Sequence, residues 1–144
     1  MPFVKIWIHA VWSTKNRKPI LTSEARPVLF SHIHENAIKK GILWDCVNGH
    51  LEHVHCMFRL KNDQMIKEVM QLTKGESSFW FNRQQIIKTK LDWQDDYFAV
   101  SVSESQVPEV RRYIANQEEH HRKKTFAEEY NDFISKYGFT VFDG

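Results

Sequence analysis

Glu52-His53-Val54-His55-Cys56-Met57-Phe58 opens an apolar run that reads as a β-strand. Side chains at i and i+2 of a strand point the same way. His53 and His55 therefore share one face, and Val54, Cys56, Phe58 and Leu60 share the other. The apolar set belongs in the core. Both imidazoles are thus turned away from it, toward a second layer or a site. Two imidazoles side by side on a rigid strand suit a divalent metal, although an isolated His-x-His is more often a packed or surface pair. A metal reading needs further ligands from elsewhere in the chain.

On the N-terminal side, Ile42 to Val47 reads as a strand, and Asn48-Gly49 is a turn signal. His50 to Leu60 returns, giving a hairpin. Ser23 to Lys40 precedes it as a helix, with Val28, Leu29, Ile33 and Ala37 at helical spacing and Gly41 as its stop. His32 and His34 lie on that helix roughly 200° apart, so they do not share a ligand and belong to its surface. Phe3 to Trp12 is a bulky first strand, with Val4, Ile6, Ile8, Ala10 and Trp12 on one face and Phe3, Lys5, Trp7, His9 and Val11 on the other. On the C-terminal side, Asp63 to Phe81 reads as a helix with Ile66, Val69, Met70 and Phe79 as its apolar stripe. Asn82 to Asp96 is polar and irregular, with Trp93 as a plug, and Tyr97 to Ser103 alternates as a last strand. Strand, helix, strand, strand, helix, strand is the order of an α+β, ferredoxin-like split β-α-β domain. Its antiparallel sheet carries helices on one face. The other face, where His53 and His55 point, is left for a partner or ligand.

Pro108 opens a further helix running to about Lys124, followed by a restart at Thr125-Phe126-Ala127-Glu128, a capping box. Tyr113 and Gln117, four residues apart, share one side of the first of these. Phe126, Tyr130, Phe133, Ile134 and Tyr137 form an apolar stripe on the second, read as packing, and Gly138 ends it.

Composition sets limits. The 144 residues suffice for one domain with one core, here taken as 1–144, with 42% hydrophobic and 13% aromatic residues. A net charge of +2 does not announce a nucleic-acid binder, so any such surface is local. Cys46 and Cys56 fit a reducing compartment and buried, unbridged thiols. Phe3 to Trp12 is too short to span a membrane, which points to a cytoplasmic protein. Lys15, Arg17 and Lys18 in the first loop read either as a solvated turn or as contacts to phosphates, and Lys74 offers the same pair of readings.

Two strand histidines with a Tyr-x-x-x-Gln helix assemble two imidazoles, an amide oxygen and a phenol. Such a set can hold a divalent cation and present a nucleophile to a phosphodiester. The whole resembles the single-tyrosine HUH transposases, the small enzymes of insertion sequences and of repetitive extragenic palindromes. The resemblance rests on His53-Val54-His55 within Gly49 to His55, on Ile8-His9-Ala10-Val11-Trp12-Ser13-Thr14-Lys15-Asn16-Arg17-Lys18-Pro19-Ile20, on Leu72-Thr73-Lys74-Gly75, and on Tyr113-Ile114-Ala115-Asn116-Gln117.

The resemblance implies that Tyr113 attacks single-stranded DNA at hairpin-marked element ends. The attack forms a 5′-phosphotyrosine bond and releases a 3′-hydroxyl that later rejoins strands. It implies His53, His55 and Gln117 as ligands of Mg²⁺ or Mn²⁺, no nucleotide cofactor, and a homodimer in which active sites can be shared between subunits. The residues alone favour Zn²⁺ or Mn²⁺, because Mg²⁺ prefers oxygen. Three other readings remain: a non-catalytic ferredoxin-like nucleic-acid-binding module, a metal-dependent hydrolase using activated water, and a replication-initiator type of HUH nuclease. The roles of His120 and His121 stay open at this point.

Overall fold

The computed structural model describes residues 2–137. Four strands, β1 (Ile6–Ser13), β2 (Leu43–Gly49), β3 (His53–Leu60) and β4 (Phe98–Val102), form one sheet in the order β2-β3-β1-β4. All three pairings are antiparallel. With α1 (Ala25–Lys39) and α2 (Ile66–Gln84) in the connections, this is the expected α+β, split β-α-β arrangement.

The alternation in β1 and β3 does the sorting. Ile8, Ala10 and Trp12 face the same side as Val54, Cys56 and Phe58, where α1 and α2 cover them. Leu29, Phe30, Ile33 and Ala37 from α1 and Val69, Met70 and Phe81 from α2 complete that core. Each large apolar side chain so buried contributes about 1.5–3 kcal/mol. Gly41, at φ 78°, takes the left-handed position that ends α1. His32 bonds Glu76 of α2 at 2.8 Å and stacks on Trp80 at 3.7 Å. It bridges two helices rather than lying loose on a surface. Trp93 does plug the sheet's end: it bridges Thr14, packs edge-on against Trp12, and donates from Nε1 to Ser77 Oγ at 3.2 Å.

Four expectations need correction. Phe79 is 64% exposed, and the inward stripe of α2 runs instead through Val69, Met70, Thr73, Ser77 and Phe81. Asn48 and Gly49 are not the hairpin turn but the last residues of β2, and the chain reverses over residues 50–52. The helix expected from Pro108 to Lys124 breaks at Asn116 into α3 (Val107–Ala115) and α4 (Gln117–His120). The second sheet face is not left open, because α3, α4 and α5 (Phe126–Tyr137) lie over it. The box at Thr125 starts α5 as expected, with Glu128 N donating to Thr125 Oγ1 at 3.2 Å and Thr125 N to Glu128 Oε1 at 3.3 Å. The stop expected at Gly138 lies outside the described residues.

The covered face explains where α3 sits. Val107, Val110 and Ile114 pack on Met57, Trp7, Val102 and Cys46. An extra residue in β2, Asp45, bulges between Trp44 and Cys46 and accepts two bonds from Arg111 at 2.8 and 3.0 Å. Asn48 Nδ2 donates to the carbonyls of Ile114 and Ala115 at 2.9 and 3.1 Å, where α3 ends. Two polar clamps thus fix the helix carrying Tyr113 to the hairpin carrying the histidines. Cys46 and Cys56 are free thiols on opposite faces of the sheet. Among the described residues, no helix is long and apolar enough to cross a membrane.

Candidate active site

His53 and His55 do project together from β3 onto the face beneath α3–α5, and both are fully buried. Their rings lie 5.1 Å apart between centroids. Gln117, also fully buried, brings Oε1 to 3.0 Å from His53 Nε2. Its own amide Nε2 donates to Tyr113 O at 3.2 Å, which fixes Oε1 inward. The Tyr113 ring lies 5.4 Å from that of His55. The strand pair and the Tyr-x-x-x-Gln pair therefore meet within one chain.

The proton positions are informative. His53 Nδ1 lies 2.7 Å from Glu52 Oε1. Burial raises the Glu52 carboxyl, but the His53 bond and neighbouring histidines outweigh it and hold it below the ordinary range. An ionised carboxylate only accepts, so His53 Nδ1 donates to Glu52, and the tautomer with its proton there turns a lone pair on Nε2 inward. His121 Nδ1 similarly donates to Lys124 O at 2.8 Å, leaving Nε2 a lone pair 3.1 Å from Gln117 Oε1. Burial, above all, lowers the pKa of His121. In these tautomers three acceptor atoms, His53 Nε2, His121 Nε2 and Gln117 Oε1, converge. Such a group is stable with a cation at its centre or with an imidazole protonated. The donor set fits a divalent metal.

Two residues enter the site that the sequence reading did not place there. His9, on β1, places Nε2 3.0 Å from His55 Nδ1. Burial, then the neighbouring His55, lowers its pKa to about 3, and burial lowers that of His55 to about 4. Both are neutral at pH 7. Glu129, on α5, is 3% exposed. Its Oε1 lies 3.0 Å from His55 Nε2 and 3.5 Å from His53 Nε2. Its Oε2 accepts a short hydrogen bond from the Tyr113 hydroxyl and sits 2.9 Å from His120 Nε2 and 3.6 Å from His121 Nε2. Burial opposes its charge, but the bonds from His55 and Tyr113 hold its carboxyl at about 2. Burial, followed by that same carboxylate, pushes the Tyr113 phenol far up. The signals for both residues were present. His9 shares a β1 face with Trp7 and Val11, and Glu129 falls one helical turn from both Phe126 and Phe133 in the inward stripe of α5.

A cleft of about 330 Å³ reaches His9, Tyr113, His120 and Glu129, with Lys124 and Lys136 in its walls. A larger one, about 1060 Å³, is bordered by Arg17, Tyr97, Phe126 and Tyr130 and does not reach Tyr113. The basic residues divide. Lys15 and Lys18 are exposed in the first loop. Arg17 lies over the rings of Phe126 and Tyr130, at 5.2 and 4.7 Å. Lys74 donates to the carbonyls of Gln94 and Asp95 at 2.6 and 2.9 Å, so its ammonium clamps the loop before β4.

Residues 3–117 match the family described as IS200-like transposases. The ISDra2 transposase TnpA of Deinococcus radiodurans is 25% identical over 114 residues, which are 76% of this chain and 81% of that protein. A crystal structure at 1.90 Å described as a transposase of D. radiodurans R1 superposes with a TM-score of 0.63 at 22% identity, covering 81% of this chain and 93% of that one. A REP-associated tyrosine transposase, solved bound to a REP hairpin, gives 0.50 at 15% identity, covering 79% of this chain and 66% of that one. These two likenesses speak for the fold, and the match over residues 3–117 identifies the lineage: the chain belongs to the IS200-like transposase family.

Proposed function

We propose that this chain cleaves and rejoins single-stranded DNA at hairpin-marked element ends, with Tyr113 as nucleophile and His53, His55 and Gln117 holding a divalent metal, Mg²⁺ or Mn²⁺. The observation carrying the reading is the convergence of lone pairs from His53 and Gln117 within one fully buried site beside a phenol. When bound, the metal supplies Lewis-acid charge that makes a phosphate more electrophilic. The chain's own residues do the rest. Tyr113 O bonds to phosphorus as the P–O3′ bond breaks, which leaves a 5′-phosphotyrosine and a 3′-hydroxyl. The phenol gives up one proton and the departing 3′ oxygen takes one up. The burial of Tyr113 keeps it protonated until attack. The ester bond is conserved as a phosphotyrosine, so the chemistry asks for no nucleotide cofactor.

Lys15 and Lys18 are the cations best placed for backbone phosphates, and Arg17 and Lys74 contribute from within packed contacts. The 1–144 chain acts as one transposase domain, in the cytoplasm and on the nucleoid, as a homodimer. The Asn48 and Arg111 clamps between α3 and β2 support a Tyr113 that acts within its own subunit, and a dimer in which active sites are shared is the alternative. The test is a denaturing-gel assay with labelled single-stranded hairpin DNA from the element's own flanks and Mn²⁺. Wild type is expected to form a covalent adduct that chelator and Tyr113→Phe each abolish. Hairpin binding without any adduct favours the binding module, and cleavage surviving in Tyr113→Phe favours activated water.

A further inference from the structure

We infer that Glu129 is the anionic ligand of the divalent-metal site, delivered to His53, His55 and Gln117 by the C-terminal helix α5. The inference rests on the metal site just proposed and extends it to a residue outside the stretch matched by the family, which ends at residue 117.

Three observations carry it. The first is spacing. Ligands about 2.1 Å from a shared metal lie about 3.0 Å apart in octahedral and about 3.4 Å apart in tetrahedral geometry. Glu129 Oε1 is 3.0 Å from His55 Nε2, whose proton a metal bound there would displace, and 3.5 Å from His53 Nε2, and His53 Nε2 is 3.0 Å from Gln117 Oε1. The ligand atoms of His53, His55 and Glu129 all fall within 4.8 Å of one another.

The second is charge. His53, His55 and Gln117 bring no negative charge to a dication, and an imidazole-rich set is a poor match for a hard metal. Glu129 is a carboxylate, 3% exposed, with Arg and Lys absent from its ion pairs among the described residues. It supplies the negative charge that the other three ligands lack. The third is division of labour. Oε1 faces the two strand histidines while Oε2 holds the Tyr113 hydroxyl. One carboxylate therefore links the metal position to the nucleophile, and a metal bound there ties α5 to the sheet.

The experiment is Mn²⁺ binding to the full, DNA-free chain, followed by the electron paramagnetic resonance signal of free Mn²⁺. Glu129→Gln keeps the side chain's size. Its apo melting curve reports whether the fold survives. Hydrogen exchange of α5 with and without MnCl₂ gives a second readout. The expected result is at least a tenfold loss of Mn²⁺ affinity in Glu129→Gln and in His53→Ala, with His120→Ala close to wild type. Metal should slow exchange across residues 126–137 in wild type and not in Glu129→Gln. Wild-type Mn²⁺ affinity and α5 protection in Glu129→Gln, alongside loss in His53→Ala, overturn the role of Glu129 and leave the proposed metal site standing. Wild-type affinity in His53→Ala overturns the metal site itself. If Glu129→Gln and His120→Ala then lose affinity instead, the ion belongs to the second cluster, His120, His121 and Glu129.

Discussion

Replacing Gly49 by alanine should damage both stability and the proposed metal site, and the structure sets the size of the stability loss. A Cβ on Gly49 would lie 2.1 Å from the carbonyl oxygen of His53 and 3.1 Å from both its carbonyl carbon and Val54 Cα. All three are backbone atoms of the strand bearing the histidines, so no side chain can swing aside. Ordinary contact requires β2 and β3 to part by about 1 Å, out of a normal strand spacing of about 4.8 Å. Overpacking of this kind costs about 1–3 kcal/mol. The bond from His50 N to His53 O at 3.1 Å is strained with it, for about 1 kcal/mol more. For a chain of this size the sum, about 2–4 kcal/mol, lowers the melting temperature by about 4–16 °C. Gly75 is the control. A Cβ there meets nothing within 4 Å, inside the helix α2, so Gly75→Ala should stabilise by about 0.5–1 kcal/mol. Circular dichroism melts of the two variants should therefore move in opposite directions. Gly49→Asn distinguishes this account from a turn glycine. Asparagine tolerates the left-handed conformation of a turn but carries the same Cβ. If Gly49→Asn melts with wild type, or if Gly49→Ala shifts by less than about 2 °C, the close approach of the two strands is not what selects glycine.

His9→Phe keeps the ring stacked 5.2 Å from His55 but deletes the nitrogen facing His55 Nδ1. Loss of a partner that fixes a ligand's tautomer should weaken Mn²⁺ binding by about 10–100-fold, measured by the same titration, and an unchanged affinity would remove His9 from the site. The Asp45–Arg111 clamp gives a pH signature. The Arg111 hydrogen bond leads the causes that depress Asp45 below its usual 3.8, so the contribution is present above about pH 4 and fades as pH falls through the folded value. Asp45 is partly exposed, so the effect is about 0.2–1 kcal/mol. Asp45→Asn should melt below wild type at pH 7 and converge with it only as the pH falls below the folded Asp45 value, and a gap that ignores pH would refute the clamp.

How much of this was legible follows from what each signal depends on. Strand alternation is local, so the faces of His53, His55, Trp12 and Phe58 were readable from spacing alone, and the order of elements led to the split β-α-β sheet. Asn48-Gly49 misled because the same dipeptide serves two physical needs. A turn asks glycine for a positive φ, whereas here the glycine admits a neighbouring backbone and the asparagine closes the end of α3. Phe79 misled because periodicity in α2 cannot tell which apolar residue faces out when Thr73 and Ser77 occupy the buried stripe. The break at Asn116 depends on β2, 67 residues away, through the Asn48 bond to Ala115 O. No window centred on α3 contains it. Glu129 was hidden for the opposite reason. Its position in the stripe Phe126, Glu129, Phe133 was in plain view, but a charge on an apolar face looks like an edge until a partner is known. The partners are His55 on β3 and Tyr113 on α3, and they meet it only once α5 folds back over the sheet. A carboxylate in the apolar stripe of a helix that follows the one bearing Tyr113 is thus a sequence feature worth seeking in related chains, since a charge buried there must find partners that offset its desolvation.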